Sequence, residues 1–184
     1  MDGSASGSAF YDAGPLKQVA VNLFYGWGYN FYREENQLRA DDQLIRAKAG
    51  WLLGLAQASV DEAEIRFRRE RLAPPTRAKP FPDPAAMEEA QTLERLGKAL
   101  GALIGRLHAL PVPETDRMTQ RYRQEAGTLR ALGECDEQLI GQAELLRALL
   151  DQKLGAWVLD NLAAVMEGVA AVDATLRQRQ GLLV

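Results

Sequence analysis

The stretch LERLGKALGALIGRLHAL, residues 93–110, decides the fold class. Its leucines recur at alternating steps of three and four residues, the spacing of a heptad seam along one face of an α-helix. The seam consists of Leu93, Leu96, Leu100, Leu103, Leu107 and Leu110. A helix with so continuous an apolar face has to bury it against other helices, so the stretch predicts helix-on-helix packing.

Small residues follow the same stretch on a neighbouring face. Gly97, Gly101 and Gly105 recur every four residues, and this spacing lets a second helix approach closely. Such a stripe predicts a tight crossing, either within the chain or with another copy. We therefore predict an interface formed by Gly97, Gly101, Gly105, Leu100, Leu103 and Leu107.

Helical signals continue along the rest of the chain, whereas alternating strand patterns and hairpin turns are nearly absent. The predicted fold is all-α, a single-domain bundle of five or six helices, with long bent helices among them. The prolines and glycines place these helices at about 16–38, 42–72, 85–110, 114–132, 136–153 and 156–181.

Residues 1–14 are rich in glycine and serine, so we expect a flexible tail before a bundle domain over 15–184. Within that domain, APPTRAKPFPDP at 73–84 predicts a proline-rich linker, because proline removes donors and restricts the preceding residue. Asp83 and Pro84 are a suitable cap and first residue for the helix that follows.

Two turns are predicted in the last third of the chain. Gly133 follows an apolar helical run, and Asp136 could cap a new helix, so we expect a turn over 133–136. Gly155 offers a second turn.

The composition excludes several classes of function. The chain has 184 residues, a net charge of −3 and 47% hydrophobic residues, which is typical of a globular protein and argues against a nucleic-acid partner. The basic segment Glu64–Phe81 is the one feature that favours phosphate contact, but arginines also stabilise a helix C-terminus.

No stretch is apolar enough to predict a membrane span, and no secretory signal begins the chain, so we expect a cytoplasmic protein.

Metal and acid–base sites lack their usual residues. The chain contains one histidine, His108, and one cysteine, Cys135, so a zinc site lacks its usual ligands. A nucleophilic pair of Cys135 with His108 is conceivable in space, but nothing in the sequence supports it. Acidic neighbours are expected to raise the pKa of the Cys135 thiol and disfavour the reactive thiolate. We therefore predict no metal, no cofactor and no catalytic residues.

An aromatic tract lies within the first predicted helix, NLFYGWGYNFYREENQ at 22–37. Its tyrosines lie on one side of the predicted helix, beside an apolar stripe. They could hold a cation or a flat ring, or they could pack against neighbouring helices in the core. The candidate ligand-binding residues are Tyr25, Trp27, Tyr29, Tyr32 and Asn36.

The sequence thus favours a non-enzymatic interaction or assembly protein, which forms a homo-oligomer or binds a protein partner. The alternative hypothesis is a helical bundle that binds a small aromatic or cationic ligand in a groove lined by tyrosine and tryptophan. An enzyme would have to rely on carboxylates such as Glu34, Glu35 or Asp42 without histidine.

Overall fold

The structure, a computed structural model, describes residues 15–26, 38–72, 74–77, 80–110 and 126–183. These residues form six helices and no strand, which confirms the all-α prediction. The helices are α1 (Pro15–Gly26), α2 (Leu38–Arg71), α3 (Pro84–Ala109), α4 (Ala126–Leu150), α5 (Gly155–Asp160) and α6 (Leu162–Leu183).

The long helices α2 and α3 form an antiparallel pair at the centre of the bundle. A Cβ built on Gly97 of α3 would lie 2.7 Å from Asp61 Oδ1, and one built on Gly50 of α2 would lie 3.2 Å from His108 Nε2. Arg46 donates to the carbonyl of Leu110 at 2.5 Å. The glycines therefore allow a tight crossing between two helices of the same chain.

The remaining helices close the core around this pair. Helix α4 packs on α2 and α6, α6 also contacts α3, and α1 packs on α4 through the small contact of Ala20 with Leu145. All six leucines of the 93–110 seam are buried. The main cluster joins them to apolar side chains of α2, α4, α5 and α6, among them Leu52, Leu53, Leu139, Leu146, Val158 and Val172.

The start of α3 agrees with the sequence prediction. The Asp83 carboxylate accepts a hydrogen bond from the backbone N–H of Ala85 at 3.4 Å, and Pro84 is the first helical residue. The described residues between α2 and α3 lie outside helices. Helix α1 begins at Pro15, as expected for proline in a first turn.

The predicted turn over 133–136 is wrong, because α4 continues through it. Asp136 does not cap a helix. Its carboxylate is buried and accepts a hydrogen bond from Arg179 Nε of α6 at 2.6 Å. Arg179, 43 residues away in sequence, thus provides the hydrogen bond to a carboxylate that the sequence pattern predicts as a helix cap.

The chain does turn near Gly155, but the last helical region is divided once more than predicted. Residues 151–154 form the turn, where Gln152 has a φ of 54°. Asn161 then separates α5 from α6. Its backbone N–H makes the helical i to i−4 bond to the Trp157 carbonyl at 3.0 Å. Its side-chain amide donates to the same carbonyl at 2.9 Å, and side-chain bonds of this kind compete with continued helix.

We expect Gly133→Ala to stabilise the protein by about 0.4–1 kcal/mol, because the residue lies inside a helix and alanine restricts the unfolded chain. A Cβ at this position meets no described atom within 4 Å. Urea denaturation measures the change. Gly155→Ala is the matched control and should destabilise, since its Cβ would lie 3.0 Å from both Leu93 Cδ1 and Phe67 Cβ. A loss of stability in Gly133→Ala would contradict the continuous α4.

Candidate functional site

The outward face of α2 exposes large apolar side chains in a line. Trp51 is 54% exposed, Leu44 40%, Leu55 38% and Ile65 48%. These residues contribute half of the eight large exposed hydrophobic side chains in the described part of the chain. The other four, Val19, Phe81, Leu154 and Met166, lie on other segments. Single exposed apolar residues are ordinary, whereas a line of them marks a contact surface.

This line is additional to the face with which α2 joins the core. The core face already contacts α3 and α4, and its buried residues are Ile45, Ala49, Leu52, Leu53, Ala56, Val60, Ala63 and Phe67. Helix α2 is therefore apolar on two sides, and the other described helices cover only one of them. A helix at the surface of a bundle needs only one apolar stripe.

The exposed side chains share a heptad spacing. Steps of four and three residues connect Leu44, Lys48, Trp51, Leu55, Ala58, Glu62 and Ile65, which we call the outer seam. Each of these residues is exposed except Lys48, which is half-buried. Such a row predicts pairing with another helix, because heptad positions face a partner continuously.

The two charged residues of the outer seam are held by side chains of the same helix. The Lys48 ammonium lies 4.2 Å from the centre of the Trp51 ring. The Glu62 carboxylate accepts a hydrogen bond from Arg66 at 2.6 Å. The Glu62–Arg66 pair is at the surface, with the Glu62 side chain 66% exposed, so the Glu62 charge can reach a partner without crossing the core.

The structure places most of the predicted interface residues inside the chain. Leu100, Leu103 and Leu107 are fully buried in the core cluster, so in this structure they pack within the bundle and do not form an open contact surface. Gly97 faces Asp61, and a Cβ on Gly101 would lie 3.4 Å from Gln57 Nε2. Gly105 is exposed, with no described atom within 4 Å of its Cβ position.

The predicted ligand-binding residues Trp27, Tyr29, Tyr32 and Asn36 lie outside the described residues. Tyr25 belongs to α1, but its side chain is also outside the described part. The tyrosine groove therefore stays a prediction.

The histidine, the cysteine and the outer seam lie on three different helices, α3, α4 and α2. Burial raises the pKa of the Cys135 thiol to about 11, and the charge of Asp136 adds to the effect. The thiol is thus neutral at ordinary pH. His108 lies exposed beside Gly50. In the described ranges, no three of the His, Cys, Asp and Glu residues are arranged to hold a metal ion.

A polar cleft lies between α2 and the turn before α5. Its volume is about 410 Å³, and it is lined by Ser59, Glu62, Ala63, Arg66, Asp151, Gln152 and Lys153. Glu62 and Arg66 neutralise each other, and the Lys153 ammonium lies 4.9 Å from the Trp157 ring centre. The lining presents two acids and two bases, which gives no preference for an anion or a cation.

No helix in the described residues is long and apolar enough to cross a membrane. Comparison with protein-family models, with curated proteins and with solved structures finds no match to this chain.

The outer seam could have been found from the sequence. Leu44, Trp51 and Leu55 recur with steps of seven and four residues, the same spacing that identified the leucines of α3. What the sequence did not provide was the assignment of each apolar stripe to the inside or the outside of the bundle.

Proposed function

We propose that the chain is a non-enzymatic interaction or assembly protein and that it binds its protein partner through the outer seam of α2. The observation that carries the proposal is the 54% exposure of Trp51 in a heptad row of apolar side chains. Tryptophan is among the residues that contribute most to binding energy at protein interfaces.

The energy available at this position is substantial. A tryptophan side chain buries about 150–250 Å² when fully covered. Covering the exposed half of Trp51 would therefore remove about 100 Å² from water and contribute about 2–3 kcal/mol at about 25 cal/mol per Å². Further favourable free energy would come from burying three other side chains on the same face, Leu44, Leu55 and Ile65.

The charge pattern of α2 supports the same proposal. Between Gln43 and Ala58 the exposed or half-exposed positions include one charged residue, Lys48. Beyond Ala58 the outward face becomes strongly charged. An apolar centre with charged residues at its edge is the usual composition of a protein contact surface. We include a cytoplasmic location in the proposal, since the single cysteine is a free thiol.

The test is the native mass of the chain, purified and in extracts of its own cells, for wild type and Trp51→Glu. We expect wild type to sediment above the 20.3 kDa of one chain and Trp51→Glu to sediment as that single chain. The buried charge of a glutamate at the centre of an apolar contact would oppose association.

Met166→Glu is the matched control. Met166 is 43% exposed on α6, away from the outer seam, so the same substitution there should leave the native mass unchanged. A wild-type chain that sediments at 20.3 kDa in both settings would refute the proposed function.

A further inference from the structure

We infer that the partner of the outer seam is a second copy of this chain, bound antiparallel, with the two-fold axis passing by Leu55. This inference rests on the proposed function and adds the identity of the partner and the register. A two-fold contact requires a surface that is complementary to itself, and the outer seam has this property.

The antiparallel register follows from the order of the side chains. With Leu55 against the partner's Leu55, Trp51 faces the partner's Ala58 and Leu44 faces the partner's Ile65. The largest side chain thus meets the smallest, and the two outermost apolar residues cover each other. Large residues opposite small ones are the arrangement that fills an interhelical contact without voids.

Charge complementarity fixes the same register. Lys48 faces the partner's Glu62, and the symmetry repeats this pair on the other side of Leu55. Glu62 is exposed and Lys48 is half-buried. Both lie between apolar layers of the outer seam, where opposite charges select a partner and an orientation.

Other arrangements place these charges opposite like charges or opposite Leu55. In a parallel pair in register, Lys48 would face the partner's Lys48 and Glu62 the partner's Glu62. An antiparallel slip of one heptad in one direction would put Lys48 against the partner's Leu55, and a slip in the other direction would put Glu62 there. Each alternative therefore loses an apolar layer, creates like-charge contacts, or does both.

Helix length is sufficient for the contact. The outer seam spans 44–65 within the continuous helix α2, or about 32 Å at 1.5 Å per residue. This corresponds to three heptads, so the apolar layers on both sides of Leu55 can form together.

Cysteine cross-linking with a short bifunctional maleimide tests the register on the full-length chain. Leu55→Cys should cross-link to itself, because both thiols would lie beside the two-fold axis. Leu44→Cys should not, since the two thiols would be about 33 Å apart along the helices. A mixture of Leu44→Cys with Ile65→Cys should give the crossed dimer. Cys135 is buried and provides a low background.

Charge reversal tests the pairing by a second measurement, sedimentation at micromolar concentration. Lys48→Glu should weaken dimerisation roughly tenfold or more, because it places two acids together. The double variant Lys48→Glu/Glu62→Lys should restore it. Circular dichroism checks that every variant keeps the helical fold. A variant that has lost its dimer but keeps the helical spectrum can thus be distinguished from one that has misfolded.

Self-cross-linking of Leu44→Cys would overturn the antiparallel pairing. A double variant Lys48→Glu/Glu62→Lys that dimerises no better than Lys48→Glu would overturn it as well. A purified wild-type chain that stays monomeric would overturn the choice of a second copy. If that chain still forms a heavier species in extracts, and Trp51→Glu loses it, the proposed function survives while this inference fails. If no heavier species forms anywhere, both fail.

Discussion

Arg179→Met should lower the free energy of unfolding by about 3–5 kcal/mol, the range for removing one partner of a buried ion pair. Arg179 is 1% exposed and Asp136 is fully buried, so their hydrogen bond at 2.6 Å is inaccessible to water. Without the guanidinium, the buried Asp136 carboxylate would lose the opposite charge and the hydrogen bond that Arg179 provides. Urea denaturation at neutral pH gives the change directly.

A surface arginine on the same helix is the control for this prediction. Arg177 pairs with Asp173 at 2.6 Å, but its side chain is 74% exposed, so Arg177→Met should cost no more than about 1 kcal/mol. The double variant Asp136→Leu/Arg179→Met removes both charges and should be much less destabilised than Arg179→Met alone. Equal decreases in the free energy of unfolding for the Arg177 and Arg179 variants would show that the buried ion pair stabilises the protein no more than the exposed one.

Leu103→Ala should lower the free energy of unfolding by about 2–5 kcal/mol, as for other leucines in close-packed cores. Leu103 is fully buried in the cluster that joins α2, α3 and α4. The alanine would leave a cavity between these helices, since the surrounding side chains collapse only in part. The measurement is again a urea melt, repeated at several protein concentrations.

The concentration series separates a core role from an interface role for the α3 seam. If Leu103 stabilises the single chain, the loss in Leu103→Ala relative to wild type is the same at every concentration, whereas loss of a subunit contact depends on concentration. Leu154→Ala is the control, because Leu154 is 54% exposed and should change stability by less than about 1 kcal/mol. A Leu103→Ala variant as stable as wild type would contradict the packing of α3 in the core.

Local features of the fold were predictable because they depend on neighbours in sequence. The cap at Asp83 and the first helical residue Pro84 follow from side-chain chemistry within a few residues. The turn over 133–136 failed for a related reason. Gly133 and Asp136 are compatible with a turn and with a helix, and the buried contact with Arg179 accompanies the helix.

The heptad spacing of the candidate surface was predictable from the sequence, but its position on the outside of the bundle was not. The leucines of α3 and the row through Leu44, Trp51 and Leu55 have equivalent spacing, so sequence alone could not distinguish the covered stripe from the open one. The sequence predicts an interface at the leucine-rich stripe, and the structure buries its Leu100, Leu103 and Leu107 inside the bundle.

The sequence by itself determined the all-α class, because heptad and helical periodicities are properties of residues three and four apart. It also limits the chain to one histidine and one cysteine, fewer than a zinc site built from these residues uses. Only the tertiary structure decided that α2 keeps an apolar row at the surface and that Asp136 pairs with Arg179. Both depend on which helices meet, and the packing of helices distant in sequence fixes that choice.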